Sequence, residues 1–183
     1  MKRVFDFLLA LIASPFALVL VMLTALAIRM DSPGPAIFRQ RRVGRQERLF
    51  TLYKLRTMQI AIEDVPSHMA APAMVTRVGR FMRKTKLDEL PQLFNVLLGD
   101  MAFIGPRPCL PSQIELIEAR RALGVYAARP GISGLAQVHG VDMSEPQRLA
   151  AIDADYVRTA SLLSDVRLID ATLAGKGSGD AVR

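Results

Sequence analysis

The chain has 183 residues and a mass of 20.1 kDa, with 51% hydrophobic and 22% charged residues. That length suffices for one domain of ordinary size and excludes two large ones. The single cysteine, Cys109, cannot close a disulfide within the chain, and the two histidines, His68 and His139, supply no clustered set of zinc ligands. Charge is uneven: residues 1–100 carry 15 Lys and Arg against 8 Asp and Glu, and residues 101–183 carry 9 against 9. The whole +7 excess therefore lies in the first part. Its two basic runs, Arg29–Arg56 and Arg77–Lys86, imply an anionic partner, which leaves nucleic acid, phospholipid and phosphorylated small molecules open.

Phe7 to Ile28 is a run of 22 residues without a charge, about 33 Å as a straight helix and so of membrane length. It is too long for a signal-peptide core and has no small-x-small cleavage pattern after it. Ser14-Pro15 interrupts the run, and proline removes a backbone donor and crowds the preceding turn, so a kink is expected near Ser14. Lys2-Arg3 precede the segment and Arg29, Arg39, Arg41 and Arg42 follow it, whereas a spanning helix favours positive charge on one side. On charge and proline alone, a kinked span and a re-entrant hairpin that returns to the same face stand level.

Asp31-Ser32-Pro33-Gly34-Pro35 is a chain of turn formers that ends the helix. Beyond it, AIFRQRRV and RLFTLYKLR read as strands joined through Gly44-Arg45-Gln46-Glu47, a β-hairpin whose basic residues line one exposed edge. Residues 59–76, with Pro66 and Pro72, read as a loop. Val75 to Lys86 reads as a basic amphipathic helix with Arg77, Arg80, Arg83 and Lys84 on one face. That face serves solvation, a phosphate clamp or anionic headgroups.

Leu87 to Gly99 contains a short helix that stops at Gly99, with Pro91 in its first turn. Asp88 and Glu89 lie near its start, where such residues are also simply good helix formers. Five cations and no other carboxylate occupy the ten residues immediately upstream. Two carboxylates beside a cationic strip hold Mg²⁺ through oxygen while arginines neutralise a diphosphate, and one carboxylate can attack phosphorus. Phosphoryl transfer is the chemistry this pattern fits.

FIGPRP at 103–108 and RPGISG at 129–134 each present an arginine stiffened by proline, suited to bidentate phosphate recognition. Between them, Leu110 to Leu123 reads as an amphipathic helix. Leu149, Ile152 and Tyr156 share one helical face, Asp153 and Asp155 project elsewhere, and Asp165 sits in a second apolar stretch, Leu162 to Leu173. Gly175 to Gly179 has the composition of a flexible tail and lacks the Walker spacing. Cys109 reads as a small packed residue.

These motifs, in this order, resemble one family over nearly the whole chain. Ser14-Pro15, SPGPAIFRQRRVG at 32–44, YKLRTM at 53–58, RKTKLDELPQLFNVLLGDM at 83–101, FIGPRP and RPGISGLAQVHG at 129–140 are similar to the small monotopic bacterial sugar transferases, the polyprenol-phosphate phosphoglycosyltransferases in minimal form. The resemblance implies transfer of a sugar 1-phosphate from a UDP-sugar, of the N-acetylated kind, to undecaprenyl phosphate at the cytoplasmic face of the bacterial inner membrane. The products are a polyprenyl diphosphosugar and UMP, a step that initiates a surface glycan (O-antigen, capsule, exopolysaccharide or glycoprotein). It implies Mg²⁺, a covalent intermediate on Asp88, and Glu89 as its partner in metal binding or proton handling. It further implies Lys54, Arg56, Arg83, Arg107 and Arg129 around the phosphates, Asp153 and Asp165 as catalytic or metal support, and a re-entrant helix broken at Ser14 and Pro15. Membrane lipid and downstream glycosyltransferases are the implied partners, and nucleic acid is not. Where many relatives continue with Asn-Gly-Arg-Asn, this chain has His139-Gly140-Val141-Asp142, a departure that bears on sugar choice.

The expected fold is α+β and mostly helical, a monotopic membrane protein with an N-terminal re-entrant helix-break-helix, a short β-hairpin and amphipathic surface helices. The expected divisions are a membrane helix at 1–30, a cytosolic-face catalytic domain at 31–174 and a flexible tail at 175–183. Two rivals from other classes are a membrane-anchored binder of acidic lipid or nucleic acid and a metal-dependent hydrolase.

Overall fold

A computed structural model describes residues 1–59 and 75–177. The loop expected around Pro66 and Pro72, His68 and most of the expected tail lie outside the described residues. Helix α1 (Lys2–Asp31) leads through a proline-rich turn into strands β1 (Ile37–Val43) and β2 (Leu49–Leu55), which form an antiparallel hairpin with Gln40 opposite Leu52. Helix α2 (Arg77–Thr85), a 3-10 turn at Leu87–Glu89 and helix α3 (Gln92–Leu98) follow. Strands β3 (Ala102–Ile104) and β4 (Gly131–Ser133) pair in parallel across helix α4 (Ile114–Ala122). Helices α5 (Leu135–Val138), α6 (Pro146–Thr159) and α7 (Leu162–Leu173) complete a mostly helical molecule.

The local stops obey their residues. Thr76 caps α2 by accepting from the Gly79 amide at 2.9 Å, and Gly99 ends α3 in the left-handed region at φ 92°. The expected short helix within 87–99 forms as α3, with Pro91 at its start and Gly99 at its end, and a separate 3-10 turn ahead of it carries Asp88 and Glu89. The hairpin forms as expected, with Gln46 and Glu47 at φ 54° and 58°. Its basic residues divide: Arg39 and Arg41 are exposed, but Arg42 and Arg56 are buried, so the single basic edge is corrected.

Helix α1 is not divided at Ser14-Pro15. It runs on through Pro15 as one 30-residue helix, and the Ser14 hydroxyl donates to the Ala10 carbonyl at 2.6 Å. Asp6, Ala10, Ala17 and Ile28 are buried, and Ala13, Val21 and Ala25 pack between them, so one stripe three to four residues apart faces the rest of the chain along almost the full helix. Small side chains there let the helix lie close on β2 and α3, where Ala10 meets Leu52, Leu93 and Val96 in one cluster. The opposite face is apolar and outward, with Ile12 68%, Phe16 75% and Met30 81% exposed.

Both ends of α1 are fastened to the same body. Lys2 pairs with Asp165 of α7, Arg3 donates to the Val96 and Leu97 carbonyls at the end of α3, and Asp6 Oδ1 accepts from the Phe103 amide at 3.2 Å. At the other end Asp31 Oδ2 accepts from the Val78 amide at 3.1 Å, and Ile28 packs with Leu55 and Met82. The helix lies along the folded body with one apolar face turned outward, and by length and composition it is long and apolar enough to cross a membrane.

Candidate active site

The site is built where α2, the 3-10 turn, the end of β2 and the β3–α4 loop meet. Lys86 adopts the left-handed conformation at φ 58°, which turns the chain sharply between α2 and Leu87–Glu89 and sets Asp88 inward and buried. Gly79 admits the other side: a Cβ there would stand 2.1 Å from the Thr57 carbonyl oxygen, so α2 rests directly on the strand-end backbone. This contact brings Arg83 to Thr57, whose hydroxyl accepts from Arg83 Nε at 3.0 Å.

Glu89 Oε1 takes two cations, Lys54 Nζ and Arg107 Nη2, each at 3.1 Å. Burial works to raise its pKa, but Lys54 and Arg107, by charge and by hydrogen bond, outweigh burial and hold the carboxyl at about 2. Asp88 goes the other way. Burial raises it above the ordinary carboxylate range, and the Glu89 charge adds to that against the pull of Lys54, Arg107 and Arg83. Two neighbouring carboxylates are thus driven apart in acidity. Glu89 is an anion paired with two cations. Asp88 is the buried carboxylate that the cations surround.

The remaining expected site residues fall elsewhere. Arg56 donates to the Ser32 carbonyl at 2.8 Å and to the Pro33 carbonyl, closing the turn after α1. Arg129 donates to the Gly99 carbonyl at 2.9 Å, beside Arg3 at the C-terminal end of α3, where helix carbonyls favour cations. Asp165 accepts from the Tyr156 hydroxyl at 2.7 Å and pairs with Lys2 under the start of α1. Asp153 faces inward rather than away from the Leu149 and Tyr156 face, and its Oδ2 accepts from Arg120 Nε at 2.9 Å and Nη2 at 2.6 Å. Asp155 is exposed and pairs with Arg158. Ser14 and Pro15 lie in α1, and Asp142 joins Arg107 and Asp153 in lining a shallow cleft beside the site, while His139 is exposed.

Three residues of this framework escaped the reading of the sequence. Arg42 and Arg120 are buried arginines whose roles come from carbonyls far along the chain. Asn95 is fully buried and bridges the free edge of β2. The burial of Arg120 had a visible sign, since it follows Leu116 by four residues on the apolar face of α4.

The glycines of the two arginine loops also have a physical reason. A Cβ on Gly131 would stand 2.1 Å from the Gly105 nitrogen, and one on Gly134 would stand 2.3 Å from the Gly105 oxygen. The FIGPRP and RPGISG backbones therefore touch, and Ala102 pairs with Gly131 and Ile104 with Ser133. Residues 1–176, which include every one of these features, match the bacterial sugar transferase family.

The chain belongs to the bacterial sugar transferase family. It is 43% identical over 179 residues to the UDP-glucose:undecaprenyl-phosphate glucose-1-phosphate transferase of Caulobacter vibrioides, covering 92% of this chain and 66% of that one. It is 41% identical over 179 residues to the UDP-N-acetylgalactosamine-undecaprenyl-phosphate N-acetylgalactosaminephosphotransferase of Aeromonas hydrophila, covering 94% and 42%. An uncharacterized sugar transferase of Bacillus subtilis is 33% identical over 173 residues, covering 94% and 85%. The chain thus spans from about two fifths to most of the length of these relatives.

For this bacterial sugar transferase the donor set bears on a metal. Among the described residues no group of three or more Asp, Glu, His or Cys side chains stands together. Asp88 with Glu89 alongside offers oxygen ligands only, which fits Mg²⁺, an ion that usually takes one or two carboxylates and completes its shell with water and substrate phosphate.

Proposed function

We propose that the chain is a phosphoglycosyltransferase that moves a sugar 1-phosphate from a UDP-sugar to undecaprenyl phosphate, releasing UMP. The observation that carries this reading is the buried Asp88 carboxylate set among Lys54, Arg83 and Arg107, with Glu89 ion-paired to two of them. An Asp88 oxygen forms a bond to the β-phosphorus, the bond from that phosphorus to the bridging oxygen breaks, and UMP leaves with the electron pair. A phosphate oxygen of the lipid acceptor then attacks the same phosphorus and returns Asp88 as a carboxylate. Lys54, Arg83 and Arg107 bear the charge that builds on the phosphoryl oxygens. Mg²⁺, held by Asp88 and Glu89 together with substrate phosphate, would supply further neutralisation of the diphosphate. The bonds of Arg56 and Arg129 to backbone carbonyls support a framework role for these two arginines beside any contact with phosphate.

The test is UMP release with Mg²⁺, undecaprenyl phosphate and a panel of UDP-sugars. The relatives' names divide between glucose and N-acetylgalactosamine, so the panel includes both plain and N-acetylated hexoses. One sugar is expected to support turnover that depends on the lipid acceptor. Sugar phosphate formed without lipid would identify a hydrolase instead.

The fastening of both α1 ends to one body supports a monotopic placement, with both ends on one side and the outward apolar face in a single leaflet at the cytoplasmic side of the inner membrane. There a soluble nucleotide sugar and a lipid phosphate meet at the headgroup plane. Cys109 is the sole cysteine and is fully buried, so single cysteines introduced at residues 2 and 30 report cleanly. Both are expected to react with a membrane-impermeant thiol reagent only from the cytoplasmic side, and labelling from opposite sides would show a span.

A further inference from the structure

We infer that Arg42 and Arg120 are positioning residues that hold the Arg107 loop in place, and that Asp153 acts by holding Arg120. This rests on the reading of Arg107 as a phosphate ligand. Pro106 and Pro108 have no amide hydrogen, so the loop gains little rigidity from its own backbone bonds. Its three consecutive carbonyls are instead fixed from outside. The Gly131 amide donates to the Pro106 oxygen at 3.0 Å, Arg120 Nη1 to the Arg107 oxygen at 2.8 Å and Arg42 Nη1 to the Pro108 oxygen at 3.0 Å.

Both guanidinium groups are themselves oriented. Gln40 Oε1 accepts from Arg42 Nε at 2.9 Å, and Asp153 Oδ2 accepts from two nitrogens of Arg120. Arg42 is 8% exposed, Arg120 1% and Asp153 2%. Burying such a pair stabilises a fold little, since desolvation consumes most of the attraction. What the arrangement supplies is position. The far end of Arg107 meets Glu89 at 3.1 Å, and a displacement of about 1 Å in a phosphate-binding group costs on the order of 10²-fold in rate.

A residue that works through Arg107 loses its influence when Arg107 no longer does its own work. The experiment is a double-mutant cycle in the full chain, with Arg120→Lys measured in the parent and in an Arg107→Lys background. Lysine keeps the charge opposite Asp153 but lacks the fork that reaches both Asp153 and the Arg107 carbonyl. In the parent, kcat/KM for UMP release is expected to fall at least about tenfold, with the melting temperature kept within a few degrees. In the Arg107→Lys background the same change is expected to cost less than about twofold.

Equal losses in both backgrounds would overturn the inference, as would a loss of activity that simply follows a fall in melting temperature. Full activity of Arg107→Lys itself would overturn the underlying site reading, a result separable from the other two. Should Arg120→Lys fail to fold, Arg42→Lys, on a different element, enters the same cycle with the same expected result.

Discussion

Replacing Asp88 with asparagine is expected to reduce UMP release by at least about 10⁴-fold, since removing an acting nucleophile costs up to about 10⁶-fold. The fold should not suffer. Asparagine has nearly the same shape, and Asp88 is a buried carboxyl whose pKa is raised chiefly by desolvation. Between the ordinary carboxylate range and the raised native pKa, the folded state binds more protons than the unfolded chain, so stability falls as pH rises through that window. The neutral amide of the variant has no charge to bury. The variant should therefore be at least as stable as the parent at neutral pH, and the difference should vanish below the unfolded pKa. Melting curves from below the ordinary Asp pKa, about pH 3, up to about pH 8 check both halves alongside the UMP assay. An Asp88→Asn protein that retains turnover, or that is inactive only because it is unfolded, would contradict the assignment. The charge partition makes Glu89→Gln informative in another way: it frees Lys54 and Arg107 from their shared anion, so it disturbs phosphate binding before it disturbs bond formation.

Asn95→Leu is expected to cost about 2–5 kcal/mol of folding stability, with Asn95→Asp equally damaging, measured by chemical denaturation. Asn95 is fully buried in α3, and its side chain does for β2 what a third strand would do. Its Oδ1 accepts from the Tyr53 amide at 3.2 Å and its Nδ2 donates to the Thr51 carbonyl at 2.7 Å. Loss of the amide leaves one partly buried donor and one partly buried acceptor on the strand edge without that partner, and aspartate restores only the acceptor half. Because Lys54 follows Tyr53 directly on this strand, a loosened edge also reaches Glu89. Activity lost with Asn95 should accordingly return when temperature is lowered enough to refold the variant, whereas activity lost with Asp88 should not.

Much of the plan was legible in residues alone. The uncharged run 7–28 marked a long apolar helix, the turn formers 31–35 marked its end, and runs rich in β-branched and aromatic residues gave the hairpin with its chain reversal near Gly44. Cationic density upstream of Asp88-Glu89 singled out the carboxylate pair, and the order of the motifs identified the family that the match over residues 1–176 shows. These are local properties. Hydrophobic spacing, proline's missing amide and the tolerance of glycine for close approach act over a few residues, so a linear text carries them.

Only the folded chain decided what each arginine does. Arg56, Arg83, Arg107, Arg120 and Arg129 are the same side chain, in stretches of similar composition. Whether a guanidinium meets Glu89, a buried Asp153 or the carbonyl at Ser32 depends on partners up to tens of residues away. The same holds for Asp153, whose inward turn beside Leu149 places it on Arg120, and for α1, whose length permits a span but whose alanine stripe lies along the body it leads into. A single sequence records the chemistry each side chain can perform. Which of those options is used is set by long-range burial, because the cost of leaving a buried polar group unpaired is paid only when the chain has closed around it.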